Sequence, residues 1–260
     1  MFTNRSPILE LRGLCKTFGG LVAVSEVEFS FGQGEIVGLI GPNGAGKTTV
    51  FNLITGNYKP DAGRIFFKGR DITGIPTHRT VELGIARTFQ NIRLFQEMSA
   101  LENVLAGCHS RMRAGLLASM FRLPAQRCEE RQVLEQSMRE LAFVGLEGQW
   151  DNPAKNFSYG NQRLLEIARA LASEPELLIL DEPAGGMNGQ ETQALIGLIR
   201  SIQARGISIL LIEHDMSLVM KICSELIVLE YGVVIATGKP DKIKNDPKVI
   251  EAYLGMDESA

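Results

Sequence analysis

Residues 35–56 read EIVGLIGPNGAGKTTVFNLITG, and the succession of textures in this stretch decides the fold. Glu35 to Ile40 is an apolar run of the length of a buried strand. It breaks into Gly41-Pro42-Asn43-Gly44-Ala45-Gly46, which holds too much glycine and proline for helix or sheet. A helix is expected from about Lys47 to Gly56, the glycine suiting the left-handed position past a helix end. Strand, glycine-rich loop and helix match the pattern G-x-x-x-x-G-K-S/T, with Gly41, Gly46, Lys47 and Thr48 in the fixed places. Gly44 and Gly46, lacking β-carbons, let the backbone curl around phosphate oxygens. The N–H groups that open the helix are unsatisfied donors at the positive end of its dipole and favour an anion. Lys47 adds a point charge for β- and γ-phosphates, and the Thr48 hydroxyl is placed to ligate Mg²⁺. The flanking strand and helix argue against a chance match in a glycine-rich turn.

Working outward, the 260-residue chain has room for one large domain or two modest ones, and its hydrophobic fraction of 45% suits a globular protein with a full core. A net charge of −3 gives no overall attraction to nucleic acid. The four cysteines, Cys15, Cys108, Cys128 and Cys223, are scattered without a C-x-x-C pair, which suits a reducing cytoplasm and suggests neither zinc nor disulfides. The first residues show no apolar core of signal-peptide length, and no run approaches the ~18 apolar residues of a membrane span, so a membrane role is expected to come through a partner.

Before the phosphate loop, Ile8 to Leu11 and Ala23 to Phe31 read as strands around an expected turn, Lys16-Thr17-Phe18-Gly19-Gly20. After it come a turn at Pro60–Gly63, a hairpin from Arg64 to Arg70, a short helix from Pro76 to Leu83 and a strand from Ile85 to Gln90. From Asn91 the texture turns helical, with helices over Met98–Leu105 and Cys128–Val144 flanking a basic and apolar segment, Ala106 to Arg127. Alternation of strands and helices resumes with a helix over Gly160–Ser173 and strands over Leu177–Leu180 and Ile207–Ile212. A final helix is expected over about Pro247–Leu254. The pattern predicts a parallel sheet with right-handed crossovers.

Within this frame LLILDEP places Asp181 at the carboxyl end of an apolar strand, where ligands bind in open parallel sheets. Asp181 is a candidate Mg²⁺ ligand and Glu182 a candidate for orienting and deprotonating water; an acidic strand exit that caps a helix is the alternative. Gln90 and His214 stand at other strand ends, the first able to touch Mg²⁺ or water, the second the γ-phosphate; as isolated polar residues each also reads as a solvated terminus. Phe18 is either an adenine-stacking ring or an edge aromatic. Ser158, as N-cap, and Gly160 open a second helix terminus suited to an anion, or simply cap a helix.

Taken together these segments resemble the ATP-binding cassette family almost end to end: GPNGAGKT as its phosphate loop, Gln90, LLILDE, FSYGNQ as its signature, GMN and His214. The resemblance implies an α/β P-loop NTPase fold, a RecA-like parallel-sheet core with an antiparallel β subdomain and an inserted helical subdomain. Residues 1–90 and 164–260 would form the core and 91–163 the helical part. It implies ATP and Mg²⁺ as ligands, with nucleotide contacts from Phe18, Gly41, Pro42, Asn43, Gly44, Ala45, Gly46, Lys47, Thr48, Thr49, Ser158, Gly160 and Gln162. Metal contacts would come from Thr48, Gln90 and Asp181, and catalytic roles would fall to Glu182, His214 and Gln90. Two cassettes, identical or sister chains, would close head to tail, so that ATP on Lys47 of one meets Ser158 and Gly160 of the other. Asn91 to Leu105 would dock a permease, placing the chain on the cytoplasmic face of the membrane.

Three positions depart from the family pattern: Tyr159 stands for a glycine, Asn161 for a glutamine and Asn188 for an aspartate, the last implying weaker cross-talk between sites. RTFQNIRLFQEMSALENVL, SYGNQRLLEIARAL, EPAGGMN, LLIEHDM and NDPKVIEAYLG resemble branched-chain amino-acid importer ATPases, which work with permeases and an extracytoplasmic binding protein. Importers of urea and short-chain amides are similar too, as are lipopolysaccharide-export ATPases. Cassettes acting on DNA or ribosomes generally carry two cassettes, a long coiled coil or a zinc insertion, none of which is seen here, so no nucleic-acid partner is expected. Lys47, Glu182 and His214 are all present, which speaks against a non-catalytic regulatory cassette, and a nucleotide kinase would need neither FSYGNQ nor His214.

Overall fold

The computed structural model describes residues 7–108 and 124–254. In chain order its strands are β1 (Leu9–Phe18), β2 (Leu21–Phe31), β3 (Ile36–Ile40), β4 (Ala62–Phe67), β5 (Arg70–Asp71), β6 (Ile85–Arg87), β7 (Leu177–Asp181), β8 (Ser208–Ile212), β9 (Glu225–Glu230) and β10 (Val233–Gly238). The helices are α1 (Lys47–Ile54), α2 (Thr77–Glu82), α3 (Ala100–Cys108), α4 (Pro124–Phe143), α5 (Tyr159–Leu171), α6 (Gly189–Ala204), α7 (Met216–Ile222), α8 (Pro240–Lys244) and α9 (Pro247–Leu254).

Side-chain alternation along three short apolar strands builds the layers. β3, β7 and β8 are buried at all five positions. Val37, Leu39, Leu177, Ile179, Leu210 and Ile212 enter one core, while Ile36, Ile40, Leu178, Leu180, Ile209 and Leu211 enter the other. A strand that is apolar at every position is therefore a strand clothed on both faces. The sheet they belong to has the order β10-β9-β3-β8-β7-β6, parallel except for the β9–β10 pair. On one face lie α1 and a second, antiparallel sheet of order β2-β1-β4-β5, which contributes Leu9, Leu11, Val24, Val27 and Ile65 to the shared core. On the other face α5, α6 and α7 cover the sheet with Ile167, Leu195, Ile199 and Leu218. The expected α/β fold with an antiparallel β portion is thus the one observed.

A third core joins α3, α4 and α5 through Val104, Leu141, Leu165 and Ala168. α5 works in both environments, because Ile167 and Leu171 face the sheet while Leu165 and Ala168 face α3 and α4. The basic segment between α3 and α4, including His109, lies mostly outside the described residues.

The sequence expectation differs from the structure in a few places. Lys16, Thr17 and Phe18 belong to β1, and the turn is only Gly19-Gly20, both at positive φ (51° and 91°), with Phe18 paired to Leu21. That is the geometry a two-residue hairpin asks for, and the two glycines supply it without steric cost. β6 ends at Arg87, so Gln90 lies in a loop beyond the strand; its backbone is engaged by α5 instead. α8 had no counterpart in the sequence reading, and α4 begins at Pro124 rather than Cys128.

The loop between β6 and α3 is held by one buried amide. Asn103, 0% exposed, donates through Nδ2 to the carbonyls of Phe95, Met98 and Ser99 and accepts the Phe95 N–H at 2.9 Å. Removing it would leave several buried backbone groups without partners, each costing about 1–3 kcal/mol. Asn103→Leu, which keeps the volume, is expected to lower unfolding free energy by roughly 2–4 kcal/mol and to expose 91–99 to protease, as denaturant titration and limited proteolysis would read.

Candidate functional site

α1 begins at a loop whose conformation only glycine tolerates at two points. Gly41 and Gly46 have φ of 148° and 99°, and a β-carbon would stand 2.1 Å from the Leu229 carbonyl oxygen at the first and 2.5 Å from that of Ala23 at the second. The loop therefore sits directly on the end of β9 and on β2, whose hairpin with β1 carries Phe18. Three other helices near the site close their first turn with a side chain: Ser158 on α5, Asn188 on α6 and Asp215 on α7. α1 has no capping side chain and no acidic residue in its first turn. Its leading N–H groups have no side-chain cap among the described residues, and this is the observation by which the loop fits a phosphate chain. Lys47 is buried and turns back onto the loop, donating to the carbonyls of Gly41 (2.6 Å) and Pro42 (2.8 Å). Burial pushes its pKa down, while the carboxylates of Glu182 and Asp181 pull it up. Asn43, Gly44 and Thr48 are exposed, and Ala45 packs inward.

The carboxyl ends of β7 and β8 supply the acids. Asp181 pairs with Ile212 in the parallel register, and the Glu182 N–H donates to the Ile212 carbonyl at 2.9 Å. Glu182 itself adopts φ of 45°, a left-handed conformation that costs a non-glycine residue energy and reverses the chain at the strand end. The turn aims its carboxylate at two neighbours. Gln90 Nε2 donates to Oε2 at 3.0 Å, and His214 Nδ1 stands 3.7 Å from Oε1. Asp181 is buried, and desolvation together with the Glu182 charge raises its pKa to about 6. Thr48, Gln90 and Asp181 line a single cavity of about 480 Å³, with Tyr58, Arg87 and Phe89 on its wall. Among the described residues no cluster of three or more His, Cys, Asp or Glu side chains could hold a metal alone. One carboxylate and one hydroxyl beside a phosphate site is the donor set that suits Mg²⁺, which keeps waters and shares phosphate oxygens.

The second helix terminus is built differently from the first. Ser158 Oγ accepts the Asn161 N–H at 3.3 Å, and an added β-carbon on Gly160 would meet Glu191 Oε1 at 2.8 Å. Gln162 turns inward, donating to the carbonyls of Ala154 and Phe157, so its amide serves its own chain. Among the described residues no hydrogen bond or ion pair joins 158–162 to 41–49. Asn188, the departure from aspartate, completes a capping box with Glu191: its Oδ1 accepts two backbone N–H groups, and the Glu191 carboxylate accepts the Asn188 N–H. Phe18 is half exposed at the β1–β2 turn, and its ring meets Tyr58 edge-on with centroids 5.1 Å apart.

Four further residues help to build the site without a local sequence pattern that marks them. Glu213, fully buried, accepts the N–H groups of Ala184, His214 and Asp215, joining the turn after Glu182 to the one holding His214, and burial raises its pKa. Tyr58 stands between Phe18 and the cavity. Arg163 and Glu166 form an ion pair at 2.8 Å, each side chain 1% exposed. The only sequence signal for these last two was a pair of opposite charges three apart on an otherwise apolar helix face.

Comparison with known proteins identifies the family and the fold. Residues 24–185 match the ABC transporter family, and residues 233–257 match the family described as branched-chain amino acid ATP-binding cassette transporter. The high-affinity branched-chain amino acid transport ATP-binding protein BraF of Pseudomonas aeruginosa is 46% identical over 96% of this chain and 98% of its own. LivG of Salmonella typhimurium, a protein of the same description, is 45% identical over the same shares. The crystal structure of an ATP-binding cassette of an ABC transporter in its ADP conformation gives a TM-score of 0.85 at 34% identity, covering 96% of this chain and 99% of that one. By sequence match, fold and the phosphate loop in its uncapped helix terminus, the chain belongs to the ABC transporter family, as an ATP-binding cassette.

Proposed function

We propose that this chain is the ATP-hydrolysing subunit of an importer for branched-chain, hydrophobic amino acids. The convergence of Gln90 and His214 on Glu182, beside a helix terminus left open for phosphate, carries the enzymatic part of the reading. Near full-length likeness to branched-chain amino acid transport ATPases supports the cargo.

In this reading Lys47 leaves the carbonyls of Gly41 and Pro42 for the phosphates, and the open N–H groups of α1 take the remaining charge. Mg²⁺, held by Thr48 and Asp181 with Gln90 close by, would neutralise charge on the phosphate oxygens. Glu182 orients and deprotonates the attacking water, and His214 faces the γ-phosphate. Phe18 takes the adenine face. Ser158 and Gly160 act on the nucleotide of a partner cassette, and Gln162 supports the tip from within.

We assign residues 1–90 and 164–260 to the core and 91–163 to a helical part that moves on closure. Phe95 and Met98 lie exposed on 91–105, the segment we assign to permease docking. No helix among the described residues is long and apolar enough to cross a membrane. Attachment to the cytoplasmic face through the permease, and delivery of cargo by an extracytoplasmic binding protein, complete the proposal.

Two measurements test it. Glu182→Gln is expected to lower kcat for ATP about 10²-fold or more while leaving ATP affinity within a few-fold, and to accumulate an ATP-bound dimer in gel filtration. Steady-state hydrolysis equal to that of the parent chain would overturn the role of Glu182. The second test uses pH. Because the folded-state pKa of Asp181 lies near 6, above its ordinary value of 3.8, its contribution favours folding at low pH and is lost as pH rises from about 4 to 6. Asp181→Asn is therefore expected to stabilise the ligand-free chain by up to about 3 kcal/mol at pH 8 and to change little at pH 4. In the parent chain, Mg²⁺-dependent ATP binding should strengthen as pH rises through about 6, and that dependence should vanish in the variant.

A further inference from the structure

One face of α5 grips the main chain of the Gln90 loop. Arg163 Nη1 donates to the Phe89 carbonyl at 2.5 Å, and Nη2 donates to that of Gln90 at 2.8 Å. Glu166, three residues on, accepts the N–H groups of Phe89 (3.3 Å) and Arg93 (3.4 Å) while pairing with Arg163. Arg169, one further turn along, donates to the Arg93 carbonyl at 2.5 Å. The last backbone bond from this loop to the central sheet is the Thr88 N–H to the Ile179 carbonyl, with the Asp181 N–H donating to Thr88 Oγ1 beside it. From Phe89 to Arg93 the backbone therefore belongs mechanically to α5 rather than to the strand it follows.

The same guanidinium reaches the Tyr159 hydroxyl at 3.4 Å, and an added β-carbon on Gly186 would meet the Tyr159 ring at 3.1 Å. Tyr159, where the family pattern has glycine, thus links Arg163 to the turn that follows Glu182. The arrangement is a poor device for stability. A fully buried ion pair gains little over apolar side chains of the same volume, and Arg163 Nε has no hydrogen-bond partner among the described residues. What a two-pronged planar cation supplies is register: two carbonyls held at once in one plane.

We propose that Arg163 is a positioning residue that locks the Gln90 loop to α5, so that Gln90 moves with α5 and its contact with Glu182 is made or broken by the position of that helix. The proposal rests on the reading of Gln90 and Glu182 given above. The Gln90–Glu182 bond is 3.0 Å and exposed, so a shift of α5 by about 1 Å breaks it while leaving the buried grip intact. Movement of the end of α5 next to Ser158 and Gly160, the end assigned above to the helical part, thereby frees Glu182 for water. One rigid unit would present the tip to the partner and release the acid in the same motion.

The test is a double-mutant cycle on the full chain with two independent readouts. Arg163→Lys keeps the charge beside Glu166 but cannot hold both carbonyls. Amide exchange over 88–93 is expected to accelerate while β7 and β8 stay protected; unchanged exchange overturns the grip. For hydrolysis, Arg163→Lys should change kcat on the order of tenfold with KM for ATP within about twofold, and should add nothing in a Gln90→Ala background. Additive effects in the two backgrounds would make Arg163 merely structural and overturn the proposal. Should Arg163→Lys not fold, the apolar replacement Arg163→Met with Glu166→Leu carries the same cycle, and failure of both to fold also overturns it. If Gln90→Ala alone leaves kcat intact while exchange over 88–93 still responds to Arg163→Lys, the grip stands and the assigned role of Gln90 in hydrolysis falls.

Discussion

Four parallel strands, β3, β8, β7 and β6, stand side by side and end on the same edge of the sheet. The phosphate loop, the acids, His214 and Gln90 all depend on that order. The phosphate loop follows β3, Glu213 and His214 follow β8, Asp181 ends β7 with Glu182 directly after it, and Gln90 lies beyond β6. Parallel pairing keeps all four exits in one row, and the register of Asp181 with Ile212 sets their heights. The crevice outside the carboxyl ends of such strands is where an open α/β sheet binds ligands.

The row also concentrates charge. Asp181, Glu182 and Glu213 crowd one end of two strands, and desolvation raises the pKa of Asp181 and Glu213. Backbone N–H groups stabilise Glu213, whereas Asp181 is influenced by Arg87 and Arg163 at a distance and by its acidic neighbours. The protein groups alone leave the surroundings of Asp181 short of positive charge, a deficit that a cation would relieve. The strained φ of Glu182 fits the same picture: energy is stored where the side chain must face two partners rather than where the chain would relax.

Much of this was legible in the residues. The apolar runs of β3, β7 and β8 announce strands buried on both faces, and the glycines of the phosphate loop stand where backbone passes within contact of Leu229 and Ala23. Ser158 and Asp215 are capping residues at the positions a sequence pattern would assign. What could not be read arises from tertiary pairing. The direction of Gln162 depends on the carbonyls of Ala154 and Phe157, which no local pattern fixes. Lys16 to Phe18 look like turn residues until β2 pairs with them, and the departure at Asn188 looks like a loss until its cap on α6 is seen. Arg163 and Glu166 look like surface charges on a helix and are among the most buried side chains.

If Lys47 serves the phosphates as proposed, the two carbonyls that hold it bear on how long a nucleotide stays. An ammonium group already given two short hydrogen bonds and a largely buried stem exchanges those contacts for phosphate instead of gaining partners from nothing. The exchange keeps the loop ordered between visits and trims the net affinity, since each new contact replaces one already in place. Related complexes differ in affinity chiefly through their dissociation rates, so the trimmed affinity shortens residence. A spent nucleotide, with fewer phosphate oxygens to offer, would then compete least well against Gly41 and Pro42. On that reading the loop's own oxygens would act as the displacing group that empties the site for the next turnover.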